Sequence, residues 1–109
     1  MEILKEELSK DAVLVILSEA IRLKRVVRFK YEDGKVRVGE PYLIYKSKAG
    51  DLMTHVIQTE GYSSSGKMGW KMYKLKEIKS IEILDKEFEV SKQFNPLSKM
   101  YKNIQSIVN

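Results

Sequence analysis

The first regular pattern of apolar positions in the chain predicts a helix. In the stretch DAVLVILSEAIRLKRV, apolar residues recur every three or four positions, as they do along one face of a helix: Val13, Ile16, Leu17, Ala20 and Ile21. Asp11 stands just before this pattern and belongs to the residue types that cap helix N-termini. We therefore predict a helix over about residues 11–24.

From residue 25 onward the pattern changes to the alternation that is typical of half-buried strands. Five stretches predict strands: RVVRFKYE, KVRVGEPYLIYK, LMTHVIQTE, WKMYKLKEI and KSIEILDKEF. Between the first two, Asp33-Gly34 predicts a type I′ hairpin turn, in which both central residues have positive φ. Gly39 and Pro41 predict a bend or bulge within the second strand, because neither residue type suits the interior of a sheet ladder.

The end of the chain predicts a second, shorter helix. Asn95-Pro96 interrupts the chain, and a helix over about 97–108 would then carry a buried stripe: Met100, Tyr101, Ile104, Ile107 and Val108. Short hairpin connections favour a barrel over a sandwich. We therefore expect a single, mainly β domain over 1–109, in which about five antiparallel strands form a small SH3-like or Sm-like barrel over about 25–90.

Composition narrows the functions that this domain can have. The 109 residues include 43% hydrophobic and 32% charged residues, no cysteine and a single histidine. Disulfides and thiolate metal sites are therefore excluded, and we expect neither a metal nor another cofactor. The N-terminal MEILKEELSK is acidic and amphipathic, unlike a secretory signal, and no apolar run is long enough to cross a bilayer. We expect a cytoplasmic protein without a membrane partner.

The net charge of +5 is concentrated in one region. Residues 21–50 carry nine Lys and Arg against three acidic residues, whereas the first twenty residues are net acidic. A basic region of this kind indicates a surface that faces an anion. The alternative is a solvated strand face on which cations protect a sheet edge.

Three segments together resemble the WYL domain family. They are AIRLKRVVRFKY, RVGEPYLIY and YKLKEIKSIEILDKEFE, and the likeness covers roughly residues 18–90. The resemblance implies an Sm-like or SH3-like barrel that senses a nucleotide or nucleic acid and signals to a partner. Leu52, Met53 and Thr54 stand where the family has Trp, Tyr and Leu, and Lys74 replaces its arginine. We expect a divergent, stand-alone variety without the helix-turn-helix of many WYL proteins, distinguished by its Gly/Ser loop.

That loop, GYSSSGKMG at residues 61–69, does not predict catalysis. It lacks the G-x-S-x-G spacing of a nucleophile elbow, and it lacks the spacing and the following helix of a phosphate-binding P-loop. His55 lies between apolar residues of a predicted strand and has no partner at a catalytic spacing. We therefore expect a non-enzymatic protein, in which the loop is either a lid over a site or a mobile hairpin connection.

Several residues predict a site for an anionic ligand. In the predicted hairpin register, Arg28 and Lys30 lie roughly opposite Lys35 and Arg37. Guanidinium, ammonium and hydroxyl groups bind phosphate oxygens, and aromatic rings stack on bases. The candidate ligand-binding residues are Arg28, Arg37, Tyr42, Gln58, Ser63, Ser64, Trp70, Lys71 and Lys74.

This set leaves several alternatives open. Lys71 and Lys74 lie on opposite faces of one strand, so only one of them can join a given site. Arg37 has an alternative role in a structural ion pair with Glu40, and the tyrosines and Trp70 have an alternative role in the core. If loop 61–69 closes over the end of the barrel, Gln58, Ser63–Ser65 and Trp70 converge with Arg37.

We expect a regulatory domain that binds a nucleotide-like or other anionic ligand. One alternative is a dimerisation or protein-interaction module that docks through the amphipathic first segment, which contains Ile3, Leu4 and Leu8. Another is a weak binder of single-stranded nucleic acid.

Overall fold

The computed structural model describes residues 8–99 and 101–108, and it shows one helix followed by a mainly β structure. Helix α1 spans Lys10–Leu23. The strands are β1 (Arg25–Tyr31), β2 (Val36–Lys46), β3 (Leu52–Gly61), β4 (Gly69–Lys74), β5 (Ile78–Glu87) and β6 (Ser106–Ile107). A single 3₁₀ turn, Leu75–Glu77, joins β4 to β5.

Helix α1 confirms the predicted helix, but its N-cap lies two residues earlier than predicted. Ser9, not Asp11, is the N-cap, and its hydroxyl accepts a hydrogen bond from the Ala12 amide at 3.1 Å. Asp11 instead lies in the first turn, where its negative charge interacts favourably with the positive end of the helix dipole. The helix packs on β1, β2 and β5 and buries four apolar residues: Val13, Leu17, Ala20 and Ile21.

The five predicted strands all form, but they make an open sheet and not a closed barrel. Their order is β4-β3-β2-β1-β5, all neighbours are antiparallel, and β6 pairs with β2. The predicted strand WKMYKLKEI is interrupted after Lys74 by the 3₁₀ turn, which turns the chain toward β5. The Tyr31 hydroxyl bonds to both ends of this turn, because it accepts from the Lys74 amide and donates to the Glu77 carboxylate, both at 3.0 Å.

The β1–β2 hairpin forms with a different turn from the one predicted. Gly34 has a φ of 77°, but Asp33 does not have positive φ, so the turn is not type I′. The amide of Gly34 donates to the Tyr31 carbonyl at 2.9 Å and the amide of Tyr31 donates to the Lys35 carbonyl at 3.2 Å, so the loop contains three residues, 32–34, and not two. Phe29 therefore lies opposite Arg37, one position away from the predicted register.

This single step in register moves Arg37 to the opposite face of the sheet. Arg37 shares the inner face with Phe29, whereas Arg28 and Lys30 are exposed on the outer face. The predicted cation cluster that combined Arg28 and Lys30 with Arg37 is therefore wrong.

The bend predicted in β2 is confirmed by two shifts in its pairing with β3. One shift lies between Val38 and Gly39 and the other between Pro41 and Leu43. A Cβ at Gly39 would come within 2.5 Å of a Val56 methyl carbon, so only glycine fits where the two strands approach. Beyond the bend, consecutive residues of β2 are buried, from Pro41 to Tyr45.

The helix predicted over 97–108 does not form in the described residues of that segment. Residues 101–108 run as turns and the short strand β6, and Met100 of the predicted stripe lies outside the described residues. The amides of Gln105 and Val108 donate to the carbonyls of Ile44 and Tyr42 at 2.7 and 2.8 Å. The end of the chain thus covers the second half of β2, whose backbone groups are not paired with β1 there.

Candidate functional site

The loop between β3 and β4 is organised by its own serines. The Ser63 hydroxyl donates to the Lys67 carbonyl at 2.7 Å, and the Lys67 amide donates to the Ser65 hydroxyl at 3.3 Å. The amide of Gly66, whose φ is 75°, donates to the Ser63 carbonyl at 3.0 Å. The Gly/Ser stretch therefore forms a compact turn that directs hydroxyl groups back toward β4.

Gln58 fixes the base of this loop from inside the sheet. Its side chain is buried and donates to the carbonyls of Tyr62 and Glu60 at 2.7 and 3.1 Å. Its amide oxygen accepts from the Tyr73 hydroxyl at 3.3 Å. Every polar atom of this buried amide thus has a partner, and those partners set the direction in which the loop leaves β3.

Arg37 is buried beside the loop, with a relative exposure of 6%. Its guanidinium donates two hydrogen bonds to the Asp33 carboxylate, at 3.0 and 2.8 Å. The same group lies over three rings, 5.2 Å from Tyr31, 5.3 Å from Tyr62 and 5.7 Å from Tyr73. Arg37 is therefore an ion-pair residue, as the alternative interpretation held, but its partner is Asp33 and not Glu40.

The ion pair changes the titration of both partners. The hydrogen bond from Arg37 lowers the pKa of the Asp33 carboxyl to about 2, and the same bond raises the pKa of Arg37. Burial raises the pKa of Tyr31 to about 12, and burial also raises the pKa of Tyr73. The pair stays charged and both phenols stay protonated across the physiological range.

Arg37, Gln58 and the loop together enclose a cavity of about 240 Å³, here named the Arg37 cavity. Its lining comprises Tyr31, Arg37, Gln58, Ser63, Ser64, Lys71, Met72 and Tyr73. The Lys71 ammonium donates to the Ser63 and Ser65 hydroxyls, both at 3.1 Å. Five of the nine candidate residues from the sequence therefore line one cavity.

The other four candidates lie elsewhere. Arg28 forms an ion pair with Glu82 on the outer face of the sheet. The Lys74 ammonium lies 3.9 Å from the Asp51 carboxylate, so Lys71 is the lysine of that strand that joins the cavity. Tyr42 is fully buried, and its hydroxyl accepts from the Ser91 amide at 2.7 Å.

Trp70, the fourth, lies on the opposite face of β4 from Lys71 and does not converge with Arg37. Its ring centroid is 4.9 Å from that of Tyr42, 4.7 Å from that of His55 and 6.1 Å from that of Phe94. These contacts belong to a separate cleft of about 290 Å³, here named the Trp70 cleft. The cleft is lined by His55, Trp70, Gln93, Phe94, Asn95, Ser98 and Tyr101.

Three residues of the Arg37 cavity were not among the sequence candidates: Tyr31, Met72 and Tyr73. The alternation of β1 places Tyr31 on the same face as Phe29, which is a usable signal for its position. The position of Tyr73 depends on how β4 aligns with β3, where it lies opposite Thr54. No local pattern encodes that alignment.

Over the described ranges 8–99 and 101–108, no cluster of three or more His, Cys, Asp or Glu side chains is arranged to hold a metal ion. Helix α1 and the rest of the described chain contain no helical stretch with the length and apolar character needed to cross a membrane. Comparison with protein-family models, with characterised proteins and with solved structures finds no match to this chain.

Proposed function

We propose that the chain is a non-enzymatic, regulatory binding domain whose Arg37 cavity takes a small anionic ligand, with a phosphate-bearing, nucleotide-like molecule as the leading candidate. The observation that carries this proposal is the environment of Lys71. Its ammonium stands at the cavity wall with two serine hydroxyls as partners, at 3.1 Å each. No carboxylate of the described residues lies within ion-pair distance of it. A cation that is held by hydroxyls but not neutralised is a favourable partner for phosphate oxygens.

Lys71 differs in this respect from every arginine of the chain. Each arginine has a carboxylate partner: Arg22 with Glu19, Arg25 with Asp85, Arg28 with Glu82 and Arg37 with Asp33. The charge of Arg37 is therefore largely satisfied before a ligand arrives. Arg37 instead positions the rings of Tyr31 and Tyr73, which line the cavity. The groups that contact the anion are supplied by Lys71, Ser63 and Ser64.

The size of the cavity limits the ligand. Sites for drug-sized molecules usually enclose roughly 300–1,000 Å³, so a cavity of about 240 Å³ holds a phosphate group with a small attached moiety, and most of a dinucleotide would extend out of it. A ligand oxygen at Lys71 would compete with the two serine hydroxyls. Ligand binding would thereby loosen the bonds that shape loop 62–68, which gives the domain a means of signalling occupancy to a partner.

We also propose that the open sheet is a divergent, unclosed form of the small SH3-like or Sm-like barrel, related to the WYL domain. The strand order supports this proposal, because β5 lies beside β1 while β2, β3 and β4 follow as a meander. The two edge strands of that order, β4 and β5, are consecutive in the chain and are joined by the 3₁₀ turn, as edge strands can be in a partly open five-stranded barrel.

Two other functions remain predictions that no observation on the described residues favours. An electrostatic single-strand binder needs a continuous cationic groove. Arg28 and Arg37 lie on opposite faces of the sheet, and each of the four arginines of residues 21–50 has a carboxylate partner. A docking or dimerisation role for the first segment depends on Ile3 and Leu4, which lie outside the described residues.

Calorimetric titration and thermal unfolding test the proposal with inorganic phosphate, AMP, cyclic AMP and a dinucleotide as probes. A ligand present at about 100 times its Kd stabilises the folded state by roughly 2.7 kcal/mol, which is easily measured as a higher melting temperature. We expect AMP or phosphate to give this increase and the dinucleotide to give less. Added salt should weaken the interaction because it screens the Lys71 charge.

Lys71→Gln should abolish the ligand effect without lowering the melting temperature of the free protein. The matched control is Lys67→Gln, which removes the same charge from an exposed position of the loop that precedes β4 and should leave binding intact. The proposal is refuted if none of the four probes binds, or if Lys71→Gln binds them as tightly as the unmodified protein.

A further inference from the structure

The Trp70 cleft is a second concave site on the opposite face of β4 from the Arg37 cavity. Trp70 retains 37% relative exposure even though three aromatic rings pack around it. The C-terminal segment supplies the far wall of the cleft through Phe94 and Tyr101. An indole that is partly covered by rings and partly open offers a planar face for stacking.

The polar groups of the cleft are uncharged. A hydrogen bond of 2.7 Å joins His55 Nδ1 to the Tyr101 hydroxyl, which fixes the imidazole ring and leaves Nε2 as the nitrogen available to a ligand. Burial lowers the pKa of His55, so the ring is neutral at pH 7. The amide side chains of Gln93 and Asn95 also line the cleft, and amides can both donate and accept hydrogen bonds.

From this combination we infer that the Trp70 cleft binds an uncharged, planar heteroaromatic group, such as the base of a nucleoside. Trp70 stacks on the ring plane, while His55 and the amide of Gln93 hydrogen-bond to its edge. The lining of the cleft contains no charged side chain, so an anion gains nothing there. Neither does the cleft depend on the Arg37 cavity, since Trp70 and Lys71 face opposite sides of the same strand.

Trp70 is the only tryptophan of the chain, so its fluorescence reports this site directly. The probes are adenosine, uridine and nicotinamide, which carry no phosphate, with ribose as a non-planar control. We expect saturable quenching by at least one planar probe and none by ribose. Absence of quenching, or quenching that rises linearly without saturation, overturns the inference. Saturable quenching by a proline-rich peptide but by none of the three probes overturns it in favour of a peptide site.

Two variants test the residues, with binding followed by calorimetry. Trp70→Leu should weaken binding roughly 5- to 150-fold, the usual effect of removing one stacking ring. Gln93→Ala, at an exposed position, should weaken binding several-fold without altering the melting temperature. Unchanged affinity in both variants refutes the assignment.

Lys71→Gln separates this inference from the proposed function. This variant should leave nucleoside quenching unchanged while it abolishes binding of inorganic phosphate in the Arg37 cavity. Failure of nucleoside binding with intact phosphate binding rejects the Trp70 cleft alone, and the reverse result rejects the Arg37 cavity alone. Equal loss of nucleoside quenching in Lys71→Gln contradicts the independence of the two sites.

Discussion

Arg37→Ala is a substitution for which the structure predicts a large loss of stability. The guanidinium of Arg37 makes a two-pronged contact with Asp33 and lies within 6 Å of three tyrosine rings. Alanine removes all of these contacts at once and leaves a void between the rings. The substitution should therefore lower the free energy of unfolding of the whole sheet and not only weaken ligand binding.

The magnitude follows from the number and burial of these contacts. Hydrogen bonds to a charged group contribute about 1.5–3 kcal/mol, and each cation–π contact adds roughly 0.5–1 kcal/mol. Asp33 is about one-third exposed, so solvent screens part of the pair and the upper limit for breaking a buried ion pair does not apply. We expect Arg37→Ala to lower the free energy of unfolding by about 2–4 kcal/mol.

Urea unfolding followed by circular dichroism measures this change, and the thermal midpoint should fall by roughly 8–16 °C. The stability of Arg37→Lys should lie between that of the unmodified protein and that of Arg37→Ala, because an ammonium cannot make the two-pronged contact. Lys30→Ala is the matched control, since it removes an exposed cation from the same hairpin and should change stability by less than about 0.5 kcal/mol.

A loss below 0.5 kcal/mol for Arg37→Ala, equal to that of the control, would refute the structural role of the pair. Arg37 would then have to be reconsidered as a direct ligand contact. A loss of 2–4 kcal/mol means that reduced ligand binding in this variant is not evidence of contact. For that reason the binding test uses Lys71.

Three further predictions concern the turns, the ion pair and the helix cap. Gly61→Ala should destabilise the fold by roughly 1–3 kcal/mol in urea unfolding, because φ is +94° and a Cβ would collide with the backbone of β2; unchanged stability contradicts this. The pKa of Asp33 falls from 3.8 to about 2 on folding. The contribution of the ionised Asp33 carboxylate to the free energy of unfolding is therefore complete above about pH 4 and is lost as the pH falls toward 2. The melting-temperature difference between the unmodified protein and Asp33→Asn should therefore shrink over that interval, and a constant difference would show that Arg37 is not the cause. Ser9→Ala should lose the bond to the Ala12 amide and about 1 kcal/mol of stability, and Ser9→Asp should restore it.

Much of the fold could be predicted because its signals are local. Helix α1 and the five strands follow from the spacing of apolar residues, and the bend in β2 follows from Gly39 and Pro41. The hairpin turn could not be predicted in the same way. The Asp33 carboxylate accepts from the Lys35 amide and from Arg37, and these bonds stabilise a wider turn than the type I′ turn that the dipeptide predicts.

The C-terminal segment shows a second limit of local patterns. Tyr101, Ile104 and Val108 fit a helical stripe, so the local spacing favours the helix that does not form. The conformation of this segment is determined by the side of β2 that has no β1 partner beyond the bend, because backbone carbonyls there accept hydrogen bonds from the end of the chain. That partner is remote in sequence.

The sequence predicts those parts of the site that lie on a single strand or on the loop beside it. The convergence of Gln58, Ser63 and Ser64 with Arg37 follows from the position of the loop beside β2. Trp70 was placed with them, although Trp70 and Lys71 are neighbours in a strand and must face opposite sides. The alternation of side chains along a strand therefore assigns Trp70 and Lys71 to different sites, and the sequence alone contains this signal.

The open sheet has a consequence for how the protein behaves at high concentration. Among the described residues, β4 pairs only with β3 and β5 only with β1, so each of these strands has one side without a partner strand, although the Leu8 amide donates to the Lys79 carbonyl of β5. Such sides promote pairing between molecules unless charged side chains oppose it. Lys74 on β4 and Asp85 on β5 bring charge to these edges, whereas Met72 on β4 is half exposed and apolar. Resistance to aggregation is therefore a property of a few edge side chains, and it can be lost without any change in the core.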